Sequence, residues 1–229
     1  MNITGLTIIG ESINDSVPST HALFEENNMD GIVALARSQA EKGAAYIDVN
    51  IGSRAPGFMA ELVERKANIV ELVGTVGSAP ANDRYTGFRE ILKDYPDMQI
   101  IDSQSGDFTR ARGREVMNDF LQKYGNEITA VYAHNDDMAL GAIQAIEEYG
   151  LKPGVDIKIV SVDAARGAFE AMIAGKLNAT VECNPLLGPQ FFELALKVVN
   201  NQPIPKWVPS IESIFFPEDA AKILPTRKY

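Results

Sequence analysis

"VYAHNDDMALGAIQAIEEYG", residues 131–150, runs from an apolar segment through a polar cluster into a patterned helix. "VYA" has no polar alternation, which suits a strand covered on both faces. In "HNDD", Asn135 or Asp136 starts a helix: side-chain oxygens accept from the free amides of the first turn, and acidic groups suit its dipole. Met138, Ala142 and Ile146 then recur at helical spacing, and Gly150 ends the helix. The stretch predicts one strand–cap–helix unit.

The same rhythm extends in both directions. Eight apolar runs of strand length recur: "LTIIGE", "AAYIDVN", "NIVELVG", "MQIIDSQ", "AVYAHN", "IKIVSVD", "NATVEC" and "SIESIFF". Between them, Asp30 caps a helix with Ile32, Leu35, Ala36 and Ala40 on its apolar face, stopping at Gly43. Thr109 caps another, with Val116, Phe120 and Tyr124 on one face and Gly125 beyond. Such alternation means α/β with right-handed crossovers. Two architectures fit, an open, mainly parallel doubly wound sheet of flavodoxin-like form and an eight-stranded barrel. "SIESIFF" follows the proline-rich "NNQPIPKWVPS", so it is expected as an edge or return strand.

The chain has 229 residues, 45% of them hydrophobic and 23% charged, with a net charge of −10. That charge repels phosphate backbones and argues against nucleic acid as a partner. Cys183 is the only cysteine, so no internal disulfide forms, and with two histidines no structural zinc is expected. No cofactor is expected either: GxxxxGK[ST], a GxGxxG after a strand, GxSxG and HExxH are all missing. No run of about 18 apolar residues is present, so no membrane partner is expected. "MNITGLTIIGES" lacks the pattern of a secretion signal, and a cytoplasmic location in the producing host is expected.

In parallel α/β folds ligands bind at the carboxyl ends of strands. Those ends carry Glu11 and Asn14, Asp48 and Asn50, then Asn82, Asp83 and Arg84, then Asp107 and Phe108, then "HNDD", Asp163, and finally Glu182, Cys183 and Asn184. Each also has a framework reading. Asn135 and Asp163 suit helix caps, Arg84 a surface ion pair, Phe108 a helix staple, Cys183 a small buried side chain and His134 a hydrogen-bonded framework residue. As a set they suit a neutral polyol. Arg, Asn and Asp offer paired hydrogen bonds to neighbouring hydroxyls, and an aromatic face covers a sugar ring.

From about Asn68 onward the chain resembles periplasmic sugar-binding proteins of ABC importers, of the ribose and galactofuranose type. The carriers are "NIVELVGTVGSAPANDR", "IIDSQSGDFTRARGREVM", "VYAHNDDMALGAIQAIEEYGLKPG", "KIVSVDA" and "ATVECNPLLGP". The resemblance implies the C-terminal lobe of a two-lobed clamp, with sugar contacts at Arg84, Phe108, Asn135 and Asp163 and another near Asn184. Only 67 residues precede Asn68, fewer than a second such lobe needs.

"TIIGESIN" and "ARSQAEKGAAYIDVNIG" instead resemble pterin-binding methyltransferases of the dihydropteroate-synthase-like TIM-barrel type, marking Glu11, Asn14, Asp48 and Asn50. Ser12 stands where that family has arginine. The two partial resemblances together imply an engineered chimera. In it a βαβα piece, residues 1–66, is grafted onto a sugar-binding lobe, residues 67–229, to give one domain. The seam is expected between residues 52 and 68, near 64–67, and the grafted strands are expected to join the lobe's sheet. The expected role is a non-enzymatic scaffold. The alternatives are weak monosaccharide binding by a half-site and, further off, a pterin-dependent methyltransferase. A monomer, or a dimer through an exposed sheet edge, is expected.

Overall fold

A computed structural model describes residues 8–10, 44–47, 55–205, 208, 210 and 212–229. The chain divides into two compact units. One gathers Gly52–Val76, Pro80–Cys183 and Glu212–Tyr229; the other gathers Met1–Ile51, Gly77–Ala79 and Asn184–Ile211.

All eight expected strands form. In the smaller unit β1 (Ile8–Gly10) and β2 (Ala44–Ile47) pair in parallel with each other. The larger unit holds β3 (Ala67–Val73), β4 (Met98–Ser105), β5 (Ala130–Ala133), β6 (Lys158–Asp163), β7 (Ala179–Glu182) and β8 (Ile214–Phe215). These make one six-stranded sheet in the order β4–β3–β5–β6–β7–β8. Every pairing is parallel except β7 with β8, which is antiparallel. The sheet is therefore open, not a closed barrel, and "SIESIFF" is the return strand. The expectation that the N-terminal strands join the lobe's sheet is corrected: β1 and β2 form a separate two-stranded sheet. One physical reason is visible at β7, whose outer edge is already taken by β8.

Helices cover both faces of the large sheet. They are α1 (Ala55–Leu62), α2 (Ala79–Leu92), α3 (Arg110–Tyr124), α4 (Asp136–Tyr149), α5 (Arg166–Ile173) and, beyond α6 (Gly188–Val199) of the smaller unit, α7 (Pro217–Ile223). Period-2 alternation along β3 sends Val70 and Leu72 to one face and Ile69 and Glu71 to the other. Val70 and Leu72 join Val131 and Ile159 against Val116, Phe120, Met138, Ile146 and Phe169 from α3, α4 and α5. Ile69 joins Tyr132, Val160 and Val181 against Met59 of α1 and Phe88 of α2. Phe88 stacks on Tyr132 with ring centres 4.0 Å apart, 9° from parallel. Since Met59 and Ala60 are wholly buried there, α1 is an integral part of the lobe's core. The seam expected near 64–67 would therefore cut a packed βα unit.

The helix ends follow the sequence. Thr109 Oγ1 accepts from the amide of Arg112 at 3.3 Å, and Asn135 Oδ1 accepts from that of Met138 at 3.0 Å. Gly150 closes α4 in the left-handed region at φ 93°, where a side chain would be strained. Among the described residues, no helix is long and apolar enough to cross a membrane.

Candidate functional site

The order of the large sheet puts a topological switch point between β3 and β5. The chain's lateral progress reverses there, and in open α/β sheets such a point is where ligands bind, outside the carboxyl ends of the strands. Four of the expected residues meet at that end. Arg84 of α2 donates to the carbonyl oxygen of His134, and its other terminal nitrogen lies 3.4 Å from Asp163 Oδ1. The guanidinium carbon is 5.7 Å from the centre of the Phe108 ring. Asn135 Nδ2 donates to the Phe108 carbonyl at 3.1 Å. Asn135 thus serves both readings, because its Oδ1 caps α4 while its amide pins the Phe108 backbone.

Local backbone geometry aims these groups. Asp107 and Phe108 both adopt positive φ, 53° and 56°, folding the β4–α3 loop tightly back over β3. The Phe108 ring then lies directly on Gly74, where an added Cβ would meet ring carbon Cζ at 2.0 Å. Gly74 is therefore the one residue that admits the ring. At β6, Asp163 and Ala164 have φ of 125° and 60°, so the strand ends in a tight turn presenting the Asp163 carboxylate beside Arg84.

The electrostatics are uneven. Burial pushes the Asp163 carboxyl up to about 6, although the facing Arg84 charge pulls it back. Arg84 is only 5% exposed, and its Nε is buried with no hydrogen-bond partner. Cys183 follows the end of β7, and burial pushes its thiol up, so it is a poor nucleophile.

Beneath Arg84 lies a network that the sequence reading missed. Glu71, fully buried in mid-strand, is held by both terminal nitrogens of Arg89 at 2.8 Å and by the Ser103 hydroxyl. His134 completes it. The Gly74 amide donates to Nδ1 at 3.3 Å, so the proton sits on Nε2, 3.2 Å from Glu71 Oε1. Burial lowers the His134 pKa, and the neutral ring results. Burial alone would raise the Glu71 pKa, but hydrogen bonds from His134, Arg89 and Ser103 outweigh it and lower it. A Glu–His pair can mark a catalytic base. Here the accepting nitrogen is filled by the protein's own backbone, which makes the pair framework. The available signal was the lone glutamate inside "NIVELVG", since a buried acid demands a partner.

A second missed group is Asp136, read only as a possible cap. Its carboxylate accepts from the Ser161 hydroxyl, from Thr180 Oγ1 at 2.8 Å and from the Ala165 amide at 2.7 Å. Burial pushes it up to about 7. Glu182, at the end of β7 as expected, is tied to Arg227 at 2.8 Å and to the Tyr229 hydroxyl at 2.6 Å. Asn184 falls in the smaller unit, where its Oδ1 accepts from the Leu186 amide at 2.8 Å. Glu11, Asn14, Asp48 and Asn50 lie outside the described residues. Among those described, no three His, Cys, Asp or Glu side chains are grouped to hold a metal.

An open, mostly parallel sheet whose switch-point end gathers a guanidinium, a carboxylate and an aromatic ring is the architecture of a binding-protein lobe. The chain belongs to the periplasmic binding protein domain family, whose profile matches residues 48–203. It is 44% identical over 164 residues to the galactofuranose-binding protein of Escherichia coli K12, covering 71% of this chain and 52% of that protein. It is 34% identical over 183 residues to the ribose import binding protein of Bacillus subtilis 168, covering 77% of this chain and 57% of that one. Among solved structures it is similar to the arabinose-transporter binding protein of Shewanella sp. ANA-3 bound to L-arabinofuranose. That likeness has a TM-score of 0.71 at 42% identity and covers 76% of this chain and 58% of the other. The chain thus spans little more than half the length of these three proteins. The family is one of binding proteins, not of enzymes. The match also spans residues 64–67, where the sequence reading sets a seam.

Proposed function

We propose that this chain binds a neutral monosaccharide, a pentose or hexose, through Arg84, Phe108, Asn135 and Asp163. One observation carries the reading: the buried Arg84 guanidinium keeps an unpartnered Nε between an aromatic ring and a half-buried carboxylate. A buried donor without a partner is costly, and a ligand hydroxyl is the group that would relieve it. Arginine and aspartate then grip neighbouring hydroxyls while the ring covers the apolar face. The names of the relatives, for galactofuranose, ribose and arabinofuranose, support the same ligand class. Binding through these four residues alone is weak, because they contact the ligand from one sheet end, and affinity depends on how fully its polar groups are enclosed. Calorimetry with arabinose, ribose and galactose at millimolar concentration tests it. Saturable heat that vanishes in Asp163→Ala is expected. No saturable heat from any of the three overturns the proposal.

A second reading concerns the N-terminus. The family profile begins at residue 48, but further ribose import binding proteins align over 89–91% of the chain, so this reading rests on the pterin-enzyme resemblance of the first segment alone. On this reading the chain is an engineered graft that melts as one cooperative domain and serves as a scaffold. Methyltetrahydrofolate should give no saturable heat, since only two of eight barrel strands are represented. Saturable heat would revive the methyltransferase reading.

A further inference from the structure

The turn that presents Asp163 is held from two sides, and one of them is the chain's C-terminus. Asp163 and Ala164 occupy the left-handed region, which non-glycine residues keep only where their surroundings enforce it. From below, Asp136 accepts from the Ala165 amide at 2.7 Å, and Thr180 Oγ1 accepts from the Ala164 amide at 3.1 Å. From the other side, Arg227 donates to the Ala164 carbonyl at 2.8 Å, across 63 residues of sequence. Its other terminal nitrogen donates to Glu182 Oε1 at 2.8 Å, and the Tyr229 carbonyl accepts from the Arg166 amide at 3.0 Å. The guanidinium is packed among the rings of Tyr229, Phe215 and Phe169, at 4.3, 5.1 and 5.2 Å.

We propose that Arg227 is a positioning residue for sugar binding: through the Ala164 carbonyl it locks the turn that aims the Asp163 carboxylate at the ligand. The proposal rests on the monosaccharide reading above. Only arginine meets the geometry. A planar fork reaches a backbone carbonyl and a carboxylate at once while its face lies among aromatic rings, whereas a lysine ammonium is a single point of contact. The contacts to Glu182 and the rings stabilise the lobe. The contact to Ala164 alone touches the turn, and that separates the two roles.

The test uses Arg227→Lys and Arg227→Ala in the full chain, with calorimetry against arabinose and amide hydrogen exchange. Lysine retains the Glu182 ion pair, so Arg227→Lys should keep core amides of β3 and β5 at wild-type protection. Exchange at Ala164 and Ala165 should rise about tenfold, and sugar affinity should fall about tenfold, the loss of one charge-assisted hydrogen bond. Arg227→Ala should show larger changes in both; if it unfolds, the lysine variant decides. Unchanged exchange at Ala164 and Ala165 in Arg227→Lys overturns the lock, as does a rise shared equally by the core. A looser turn with unchanged affinity overturns the positioning role. If the wild type binds no sugar, the monosaccharide reading fails, and the exchange arm alone decides whether the lock exists.

Discussion

Arg84 and Asp163 face each other across 3.4 Å, yet they are held in opposite ways. Arg84, on α2, is anchored to the sheet. Its anchor is the His134 carbonyl, one residue past β5, whose four residues are all buried, beside the saturated Glu71–Arg89–Ser103–His134 network. Asp163 stands on a turn in an unfavourable backbone region, gripped by Asp136, Thr180 and Arg227. Damage at the first end should therefore cost stability and binding together. Damage at the second should cost binding more than stability.

The largest effect tests the first half of that contrast. Arg89→Ala leaves the Glu71 carboxylate buried with one cation removed, which should cost about 3–5 kcal/mol in urea unfolding. Adding Glu71→Gln should recover part of it, since the uncompensated charge goes too. A loss near zero for Arg89→Ala would show that the network does not anchor this end.

The second effect is a pH dependence at the Asp163 end. Burial raises Asp136 from its usual 3.8 to about 7, and Asp163 from 3.8 to about 6. The folded chain then holds protons that the unfolded chain has released. This contribution to stability is fully present below the unfolded value and is lost as pH rises through the folded ones. His134 works against it. Its lowered value adds stability above 6.5 that is lost as pH falls. The clean readout is the difference in melting temperature between wild type and Asp136→Asn. That difference should shift in favour of the wild type from about pH 8 to about pH 5. A pH-independent difference would contradict the assignment to Asp136.

A smaller effect returns to the Arg84 end. Asn135→Ala removes the cap of α4 and the tie to the Phe108 carbonyl, and should cost about 1 kcal/mol in thermal unfolding. Smaller still, Gly74→Ala should displace the Phe108 ring and weaken sugar binding about threefold, the share of one ring face. An unchanged affinity would show that the ring does not cover the ligand.

The contrast also explains what the sequence made legible. All eight strands and the caps at Thr109 and Asn135 could be read, because apolar runs, polar caps and terminal glycines are local signals. That Phe108, Asn135 and Asp163 lie together was legible because they sit at or just past strand ends, where a parallel fold puts its ligands; Arg84 reaches them from within α2. The supports under them were not legible. Glu71 meets Arg89 only after α2 folds back on β3, and Arg227 meets Ala164 only once the tail returns past β8. The separate β1–β2 sheet was misjudged for a related reason: strand pattern does not reveal which edge is already occupied.

The central claim is that Asp163, opposite Arg84, meets the sugar as a carboxylate. Carbon-detected NMR of the Asp163 carboxyl, titrated with and without saturating arabinose, measures it directly. Hydroxyls that donate to the ionised group should pull its pKa down from about 6, and by linkage the sugar should bind more tightly above that pH than below it. The same titration curve with and without sugar would contradict the account.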